Sequence, residues 1–368
     1  MRDNFGDKQR QTVSDEESIK WVWVAIALGL VVMGLLIWSS LIARDANRAA
    51  AESRALAEET EFKGSEDDFG LSQNYDFDLT LSPQNCEGVN GKVDMVLITD
   101  ANYMDFTRVA INSAKETKCP GSIYHFYVMT SDISQSDEAA LKALEGENVS
   151  ITLMPQKEID LFYIRETHVS KASLLKYYIA EMLPELDKVL FLDSDILVLH
   201  DLTRLYETDI SEVYLAAVKD PSWFFENMHV VELNLDYRGF YFNSGVMLMN
   251  LKKFREDGLL QQLEDYTNNN FRTYMDQDAL NVIVGDKVAL LPFEDNAMYF
   301  FFEHVDLPVM AEFYGRNWKN YEQVFAPVTI LHFASSKKPL GPVADKTKFF
   351  RMLQRLWYKY YTPLPPLD

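Results

Sequence analysis

Eight short apolar runs, separated by polar and helix-like segments, constrain the fold of this chain more than any other feature. Each is a short and nearly continuous apolar stretch, which is typical of a buried strand in a parallel sheet. The runs lie at Val93–Thr99, Ser122–Thr130, Val149–Met154, Val189–Leu192, Tyr214–Val218, Val246–Leu251, Val288–Leu291 and Val328–Phe333. Because helical segments alternate with them, the pattern indicates βαβ units. We predict an α/β fold with one Rossmann-like mixed sheet, mainly parallel, and helices on both of its faces.

Two helices of this alternation are predicted from local signals. Ser134-Gln135-Ser136-Asp137 matches a capping box, in which side chains at the start of a helix bond its free backbone N–H groups, and it precedes the segment Ala139–Leu144. The segment Ser173–Leu183 has helical periodicity and stops at Pro184, which cannot continue a helix.

A 22-residue segment without charged residues, Trp21–Ile42, predicts a transmembrane signal anchor. At ~1.5 Å per residue a helix of this length reaches about 33 Å, enough to span a hydrocarbon core. The apolar region of a cleaved signal peptide is normally shorter, and a buried core helix is the other alternative. Four basic residues in 1–20 against three in 43–62 favour, by a small margin, a cytoplasmic N-terminus.

The composition divides the chain into five segments. We expect a polar tail at residues 1–20, the anchor at 21–42, a stem and linker at 43–91, the main domain at 92–345 and a basic, aromatic helix at 346–368. The stem is rich in Ala, Glu and Arg but poor in large apolar residues, which favours a solvated helical stalk or a homodimer formed through it. The aromatic residues of the last segment are expected to pack on the domain, with membrane contact as the alternative.

The net charge and the two cysteines limit the classes of function that this protein can have. With 35 basic and 56 acidic residues the chain carries a net charge of −21, which excludes a general role in nucleic-acid binding because such proteins need a cationic face. The two cysteines, Cys86 and Cys119, allow one disulfide in an oxidising compartment or two free thiols. Their surroundings offer no further ligands for a zinc site.

An acidic pair directly follows the fourth apolar run. Val189–Leu192 leads into Asp193-Ser194-Asp195, and ligands bind at the carboxyl ends of parallel strands. Two carboxylates at this spacing can hold one hard divalent cation such as Mg²⁺ or Mn²⁺. A solvated acidic turn is the alternative.

Three clusters further along the chain offer complementary chemistry. The first, Asn243-Ser244-Gly245, combines neutral hydrogen-bonding groups with close backbone approach at the glycine. The second, Asp276–Asn281, opens a helical stretch with a carboxylate and an amide, which bind hydroxyl groups or merely cap the helix. In the third, a strand ends at His332 and a basic turn follows with Lys338, which supplies an imidazole for a metal and a charge for a phosphate.

In this order the clusters closely resemble glycosyltransferase family 8, the retaining GT-A transferases that include bacterial lipooligosaccharide galactosyltransferases and glycogenin. The similarity runs from about Val93 to Pro339, and the stretch Lys176–Lys188 before the acidic pair is also similar to the family. The resemblance implies a GT-A fold and metal-dependent transfer of a hexose or pentose from a UDP-sugar to a glycan, glycolipid or protein acceptor. It also implies Mn²⁺, with Mg²⁺ as the alternative.

The resemblance assigns roles to individual residues. Asp193, Asp195 and His332 would bind the metal, while Asn243, Asp276 and Gln277 would surround the donor sugar, with Gln277 near the anomeric carbon. The residues that would bind the UDP-sugar are Asp100, Asn102, Tyr103, Lys176, Asp193, Ser194, Ser244, Gly245 and Lys338. Tyr103 is expected to stack on uracil, and the charges of Lys176 and Lys338 are expected to stabilise the leaving diphosphate.

Two positions depart from the family pattern, and two other functions stay open. Ser335 stands where the family has Gly, and Leu340 where it has Trp, in the turn that would cover the diphosphate. Because of these departures, one alternative function is that of a membrane-tethered protein that binds a UDP-sugar without catalytic activity. A sugar-phosphate nucleotidyltransferase is the other, although the turn Thr99–Tyr103 lacks the glycine-rich phosphate loop that such enzymes usually carry.

We infer the cellular compartment of the domain from the predicted membrane anchor and from where nucleotide sugars are available. A cytoplasmic N-terminus places the domain across the membrane, in a lumen that holds nucleotide sugars, as in a single-pass type II protein of the Golgi or endoplasmic reticulum. The sequon Asn148-Val149-Ser150 is compatible with this location. The alternative is a bacterial inner-membrane protein with a cytoplasmic domain.

Overall fold

The structure is a computed structural model, and its described residues are 79–130, 133–156, 171–224, 227–270, 274–335, 337–340 and 347–362. The predicted tail, anchor and most of the stem lie outside these residues. Within the described ranges, none of the helices combines the length and the apolar character needed to cross a bilayer.

Ten strands form two sheets in the part of the chain that the structure describes. They are β1 Asn90–Thr99, β2 Gly121–Thr130, β3 Val149–Pro155, β4 Lys188–Leu192, β5 Ile196–Val198, β6 Leu215–Lys219, β7 Phe242–Asn250, β8 Val288–Leu290, β9 Ala297–Met298 and β10 Ile330–His332. Seven of them make the central sheet in the order β3-β2-β1-β4-β7-β6-β8, in which only β7 runs antiparallel to its neighbours. The predicted mixed, mainly parallel sheet is therefore confirmed.

Helices cover both faces of this sheet. They are α1 Met104–Thr117, α2 Gln135–Lys142, α3 Ile179–Met182, α4 Thr203–Tyr206, α5 Asn227–Glu232, α6 Leu251–Glu256, α7 Leu259–Asn269, α8 Met275–Val284, α9 Leu307–Phe313, α10 Tyr321–Phe325 and α11 Lys348–Tyr358. Alternate residues of β4 belong to two different hydrophobic clusters, as expected for a strand buried on both faces. The capping box at Ser134 is present and starts α2.

A second, three-stranded sheet was not predicted from the sequence. Its order is β5-β10-β9, with β10 antiparallel to β5 and parallel to β9. Strand β10 lies in the predicted run Val328–Phe333, which we had expected in the central sheet. The other two strands, of three and two residues, are too short to show a pattern. The pairing of Ile196 with His332 brings the histidine beside the acidic pair.

Two predicted elements differ in detail. The segment predicted as one helix, Ser173–Leu183, begins as a 3₁₀-helix at Lys171–Tyr178 and continues as α3. Residues 174–180 are all buried, so no solvent-facing stripe enforces the α-helical period. Strand β7 begins four residues earlier than its predicted start at Val246 and therefore includes Asn243-Ser244-Gly245, which lie outside the predicted run.

The two ends of the domain are tied to its core. Cys86 and Cys119 form a disulfide, which joins the segment before β1 to the turn before β2. At the other end, α11 buries Phe350, Leu353 and Trp357 in the larger hydrophobic cluster. The aromatic side of this helix thus faces the core of the domain, as the packing interpretation predicts.

Candidate active site

A cavity of about 340 Å³ lies at the carboxyl ends of β1 and β4, beside the start of α8. Nine of the predicted site residues line it: Asp100, Tyr103, Lys176, Asp193, Ser194, Asp195, Ser244, Asp276 and Gln277. Four more, Asn243, Gly245, His332 and Lys338, contact members of that group. Asn102 contributes its backbone N–H to the Asp100 carboxylate at 2.9 Å. The structure therefore assembles the residues that the sequence predicted.

The acidic pair lies in a short turn between β4 and β5, and backbone hydrogen bonds tie this turn to neighbouring strands. The backbone N–H of Asp193 donates to the carbonyl of Gly245 at 2.7 Å, and the N–H of Phe333 donates to the carbonyl of Asp195 at 2.9 Å. Between the two carboxylates, the Ser194 hydroxyl donates to the Ile98 carbonyl at 3.1 Å and lies 2.9 Å from the hydroxyl of Thr107. Ser194 therefore fixes the turn through its side chain.

Three ligand atoms converge on one point at this turn. Asp193, Asp195 and His332 each offer one atom, and these atoms all lie within 4.8 Å of one another. The Nε2 atom of His332 lies 3.4 Å from Oδ1 of Asp195 and 3.9 Å from Oδ2 of Asp193. Two carboxylate oxygens and an imidazole nitrogen are a suitable donor set for a divalent cation such as Mn²⁺ or Mg²⁺.

Gly245 makes this convergence sterically feasible. A Cβ atom at this position would lie 2.3 Å from Cε1 of His332 and 2.7 Å from Oδ2 of Asp193. Both distances are well below van der Waals contact, so the imidazole and the carboxylate approach each other across a backbone that carries no side chain.

Lys176 lines the cavity, where two carboxylates hold its ammonium group. Its ammonium group is almost completely buried and lies 2.8 Å from Oδ2 of Asp276 and 3.3 Å from Oδ1 of Asp193. It also donates to the carbonyl and hydroxyl oxygens of Ser244, each at 3.3 Å. Burial alone would lower the pKa of Lys176, but the carboxylates of Asp193 and Asp276 raise it above its ordinary value. Lys176 thus links the acidic pair to the start of α8.

Lys338 stands on the opposite side of the pair. Its ammonium group contacts Oδ2 of Asp195 and donates to the Phe333 carbonyl at 2.9 Å. Burial alone would raise the pKa of Asp195, but His332 and Lys338 hold it well below its ordinary value. By contrast, burial raises the pKa of Asp193, although Lys176 acts in the opposite direction.

The departures from the family pattern are accommodated by local contacts. The Ser335 hydroxyl lies 3.0 Å from the hydroxyl of Tyr299 and accepts the backbone N–H of Lys337 at 3.1 Å. This serine therefore braces the turn that carries Lys338. Leu340 packs against the larger hydrophobic cluster.

Gln277 is held by three hydrogen bonds. Its Oε1 atom accepts from the backbone N–H of Ser244 at 2.9 Å and from Nδ2 of Asn243 at 3.2 Å. Its Nε2 atom donates to Oδ2 of Asp220 at 3.1 Å. The amide therefore has a fixed orientation at the wall of the cavity.

Sequence reasoning missed two buried residues of this network. Asp220 also accepts from Nδ2 of Asn243 at 3.0 Å, and Asn296 lies 2.9 Å from Nδ1 of His332. A carboxylate directly after the apolar run Tyr214–Val218 and its lysine was a signal that could have indicated Asp220. Asn296 stands in no recognisable motif.

The turn after β1 forms the opposite wall. Oδ1 of Asp100 accepts the backbone N–H groups of Asn102 and Tyr103 at 2.9 and 3.1 Å. The ring of Tyr103 is 41% exposed and lies 5.4 Å from the ring of Phe106. This leaves an aromatic face at the rim of the cavity, where a planar base could stack.

Comparison with known proteins agrees with this geometry. The model of glycosyl transferase family 8 matches residues 94–339. The chain is 28% identical to general stress protein A of Bacillus subtilis over 182 residues, which cover 48% of this chain and 61% of that protein, less than two thirds of its length. It is 26% identical to the lipopolysaccharide 1,2-glucosyltransferase of Escherichia coli over 246 residues, 65% of this chain and 70% of the relative.

Among solved structures, the chain is similar to the galactosyltransferase LgtC in complex with donor and acceptor sugar analogs. The TM-score is 0.61 at 25% identity, and the match covers 74% of this chain and 98% of LgtC. Mouse xyloside xylosyltransferase 1 shares the fold at a TM-score of 0.50 and 16% identity, over 69% of this chain and 100% of that one. Both structures share the fold of this chain.

Proposed function

Because the chain belongs to glycosyl transferase family 8, we propose that it transfers a hexose or pentose from a UDP-sugar to a glycan, glycolipid or protein acceptor, with retention of configuration. One observation carries this proposal: His332 meets Asp193 and Asp195, two carboxylates that line the candidate donor cavity. These three side chains would hold Mn²⁺ or Mg²⁺. When bound, the cation would supply positive charge to the leaving diphosphate.

The charges of the site suit an anionic donor only with that cation in place. The carboxylates of Asp193, Asp195 and Asp276 face the ammonium groups of Lys176 and Lys338, which leaves one negative charge among these five side chains. A bound divalent cation would change the net charge of this group from negative to positive. Lys338, which is partly exposed, would then be able to turn from Asp195 to the diphosphate. Lys176 would hold Asp276 in place beside the sugar.

The arrangement around Gln277 supports front-face attack within an ion pair as the route to retention. Double displacement needs a carboxylate against the anomeric carbon. Gln277 offers an amide, and its oxygen already accepts two hydrogen bonds. The carboxylate of Asp220 lies behind this amide, where it accepts hydrogen bonds from Asn243, Gln277 and Ser222. In this mechanism the acceptor hydroxyl loses its proton to the departing phosphate. A covalent Gln277–sugar adduct trapped in the wild-type enzyme would contradict it.

The proposal is tested by incubating the full-length protein and Mn²⁺ with UDP-glucose, UDP-galactose, UDP-xylose, UDP-glucuronate and UDP-N-acetylglucosamine. We expect release of UDP from at least one donor, and a loss of about a hundredfold or more in Asp195→Asn because the diphosphate loses its electrostatic support. Asp187→Asn, at a carboxylate that is 79% exposed, is the matched control and should leave the rate unchanged.

The same assay separates the two alternatives. Release of pyrophosphate instead of UDP would support a nucleotidyltransferase. Binding of UDP without hydrolysis of any donor would support a binding protein without activity. In either case the transferase proposal would be wrong.

We further propose that residues 21–42 anchor the protein in a membrane, with the domain in the lumen of the Golgi or endoplasmic reticulum. The disulfide between Cys86 and Cys119 supports an oxidising compartment over a bacterial cytoplasm. Asn148 of the sequon is exposed in the turn before β3 and would be accessible for glycosylation. Expression in a eukaryotic cell should therefore give a glycosidase-sensitive product that Asn148→Gln abolishes. If the product lacked this modification and protease added from the cytosolic side digested its domain, the domain would face the cytosol and the proposed orientation would be wrong.

A further inference from the structure

The two ring nitrogens of His332 face different partners. Nε2 points toward the acidic pair, while Nδ1 lies 2.9 Å from Oδ1 of Asn296. Asn296 is completely buried and immediately precedes β9. Because β9 pairs with β10, two neighbouring backbones hold the amide and the ring side by side.

A chain of hydrogen bonds fixes which end of the Asn296 amide faces the ring. Oδ1 of Asn243 accepts the backbone N–H of Gly245 at 2.9 Å, and Nδ2 of Asn243 donates to Asp220 at 3.0 Å. A backbone N–H only donates and a carboxylate only accepts, so the amide of Asn243 cannot be reversed. Asn296 must therefore donate its Nδ2 to Oδ1 of Asn243, at 3.0 Å, and turn its Oδ1 toward His332.

This orientation determines the tautomer of the histidine. An acceptor beside Nδ1 requires the hydrogen on that nitrogen, so the lone pair of the neutral ring lies on Nε2, the side of Asp193 and Asp195. Such a second partner orients a ligating histidine and increases its basicity.

We propose that Asn296 is a positioning residue, which holds His332 in the tautomer that binds a divalent cation and couples this site to the sugar-binding Asn243. The inference rests on the proposed function, since that function assigns the cation to His332. Asn296 would thus contribute to sugar transfer although it contacts no ligand itself.

The tautomer can be read directly in the full-length, metal-free protein labelled with ¹⁵N-histidine. Long-range ¹H–¹⁵N spectra distinguish a protonated ring nitrogen from a bare one, and the signal of His332 is the one lost in His332→Gln. We expect the wild type to carry hydrogen on Nδ1, and Asn296→Ala to add the Nε2-protonated form. Wild-type protein with a bare Nδ1 would overturn the inference, even if the alanine variant failed to fold.

Affinity for Mn²⁺ alone, measured from the decrease of its free EPR signal, gives the second readout. We expect Asn296→Ala to bind Mn²⁺ about ten- to a hundredfold more weakly, as is common for partners of metal-bound histidines. Asn296→Asp keeps an acceptor for Nδ1 but loses the donor to Oδ1 of Asn243, so it should retain the tautomer and bind Mn²⁺ more tightly than Asn296→Ala. Equal losses in the two variants, or wild-type affinity in Asn296→Ala, would contradict the proposed role.

Asn250→Ala serves as the matched control. Asn250 bonds the N–H of Lys253 at 3.0 Å and the carbonyl of Ile210 at 3.0 Å, away from the cavity. Its replacement should lower thermal stability without changing Mn²⁺ affinity. If the wild type itself bound no Mn²⁺, the metal of the proposed function would be wrong, whereas the tautomer measurement would still decide the role of Asn296.

Discussion

At the scale of single residues, the absence of one methyl group allows the histidine and the acidic pair to meet. Gly245 sits in the middle of β7 with a backbone that any residue could adopt, since its φ angle is not among the positive values. The glycine is therefore required by the space between His332 and Asp193, not by the path of the chain. Its substitution tests the geometry of the site with little disturbance of the strand.

We expect Gly245→Ala to weaken Mn²⁺ binding and to reduce UDP-sugar hydrolysis by about a hundredfold, because its Cβ would overlap Cε1 of His332 and Oδ2 of Asp193. An EPR titration and the UDP-release assay measure the two effects. Gly146→Ala is the control, since the atoms nearest to its Cβ belong to the Lys115 side chain at 3.6 Å. Similar activity in the two variants would show that this close approach does not matter.

At the scale of elements, short pieces at the margins of the central sheet complete the site. Strands β5 and β10 carry His332 to the acidic pair, and the N-terminal end of α8 supplies Asp276 and Gln277. The acidic pair lies in the turn between β4 and β5, and β7 of the central sheet supplies Gly245. Two segments outside these elements, one before β1 and one after β10, are also fastened to the domain.

The disulfide fastens the first of these segments, and its removal should destabilise the domain. Cys86 and Cys119 are separated by 33 residues in sequence, and closing a loop of that length stabilises a fold by about 2–4 kcal/mol, mainly by restricting the unfolded chain. The double variant Cys86→Ala/Cys119→Ala should lose this amount in urea unfolding. Reductant should produce the same loss in the wild type and none in the double variant. An unchanged free energy of unfolding on reduction would disprove the expectation.

The last helix should contribute through its buried face alone. Trp357 of α11 is fully buried, with its ring 5.7 Å from that of Phe106, whereas the neighbouring Tyr358 is 41% exposed. Trp357→Ala should lower the free energy of unfolding by about 3–5 kcal/mol, while Tyr358→Ala should change it by less than about 1 kcal/mol. Chemical denaturation measures both. Equal effects would show that the helix does not pack as the structure describes.

At the scale of the whole molecule, the sequence predicted the features that depend on neighbouring residues, such as strands and motifs. It missed those that depend on contacts formed only in the folded chain. The apolar runs indicated the sheet, and family-like clusters indicated Asp193, His332 and Gln277, because each stands beside a recognisable strand or helix start. The three-stranded sheet was missed, since β5 and β9 are too short to leave a periodic signal and β10 was expected in the central sheet. Asn296 was missed for a related reason: a lone asparagine acquires its role only from the groups that folding brings around it.

The stability of the whole domain should also respond to pH through a carboxyl group outside the cavity. Burial raises the pKa of Asp295 from 3.8 to about 6. The folded state then holds this proton more tightly than the unfolded state, so the contribution to stability is complete below about pH 4 and is lost as the pH rises through about 6. Asp295→Asn keeps a neutral side chain of similar size and should avoid that loss.

We therefore expect the variant to match the wild type in urea unfolding at pH 4 and to exceed it by up to about 3 kcal/mol at pH 7. Asp187→Asn, at a largely exposed carboxylate, provides the control and should stay within about 0.5 kcal/mol of the wild type at both pH values. If the advantage of Asp295→Asn were constant across this range, the gain would come from an altered contact. A gain that grows with pH shows instead that the folded domain loses stability when the buried carboxyl group ionises.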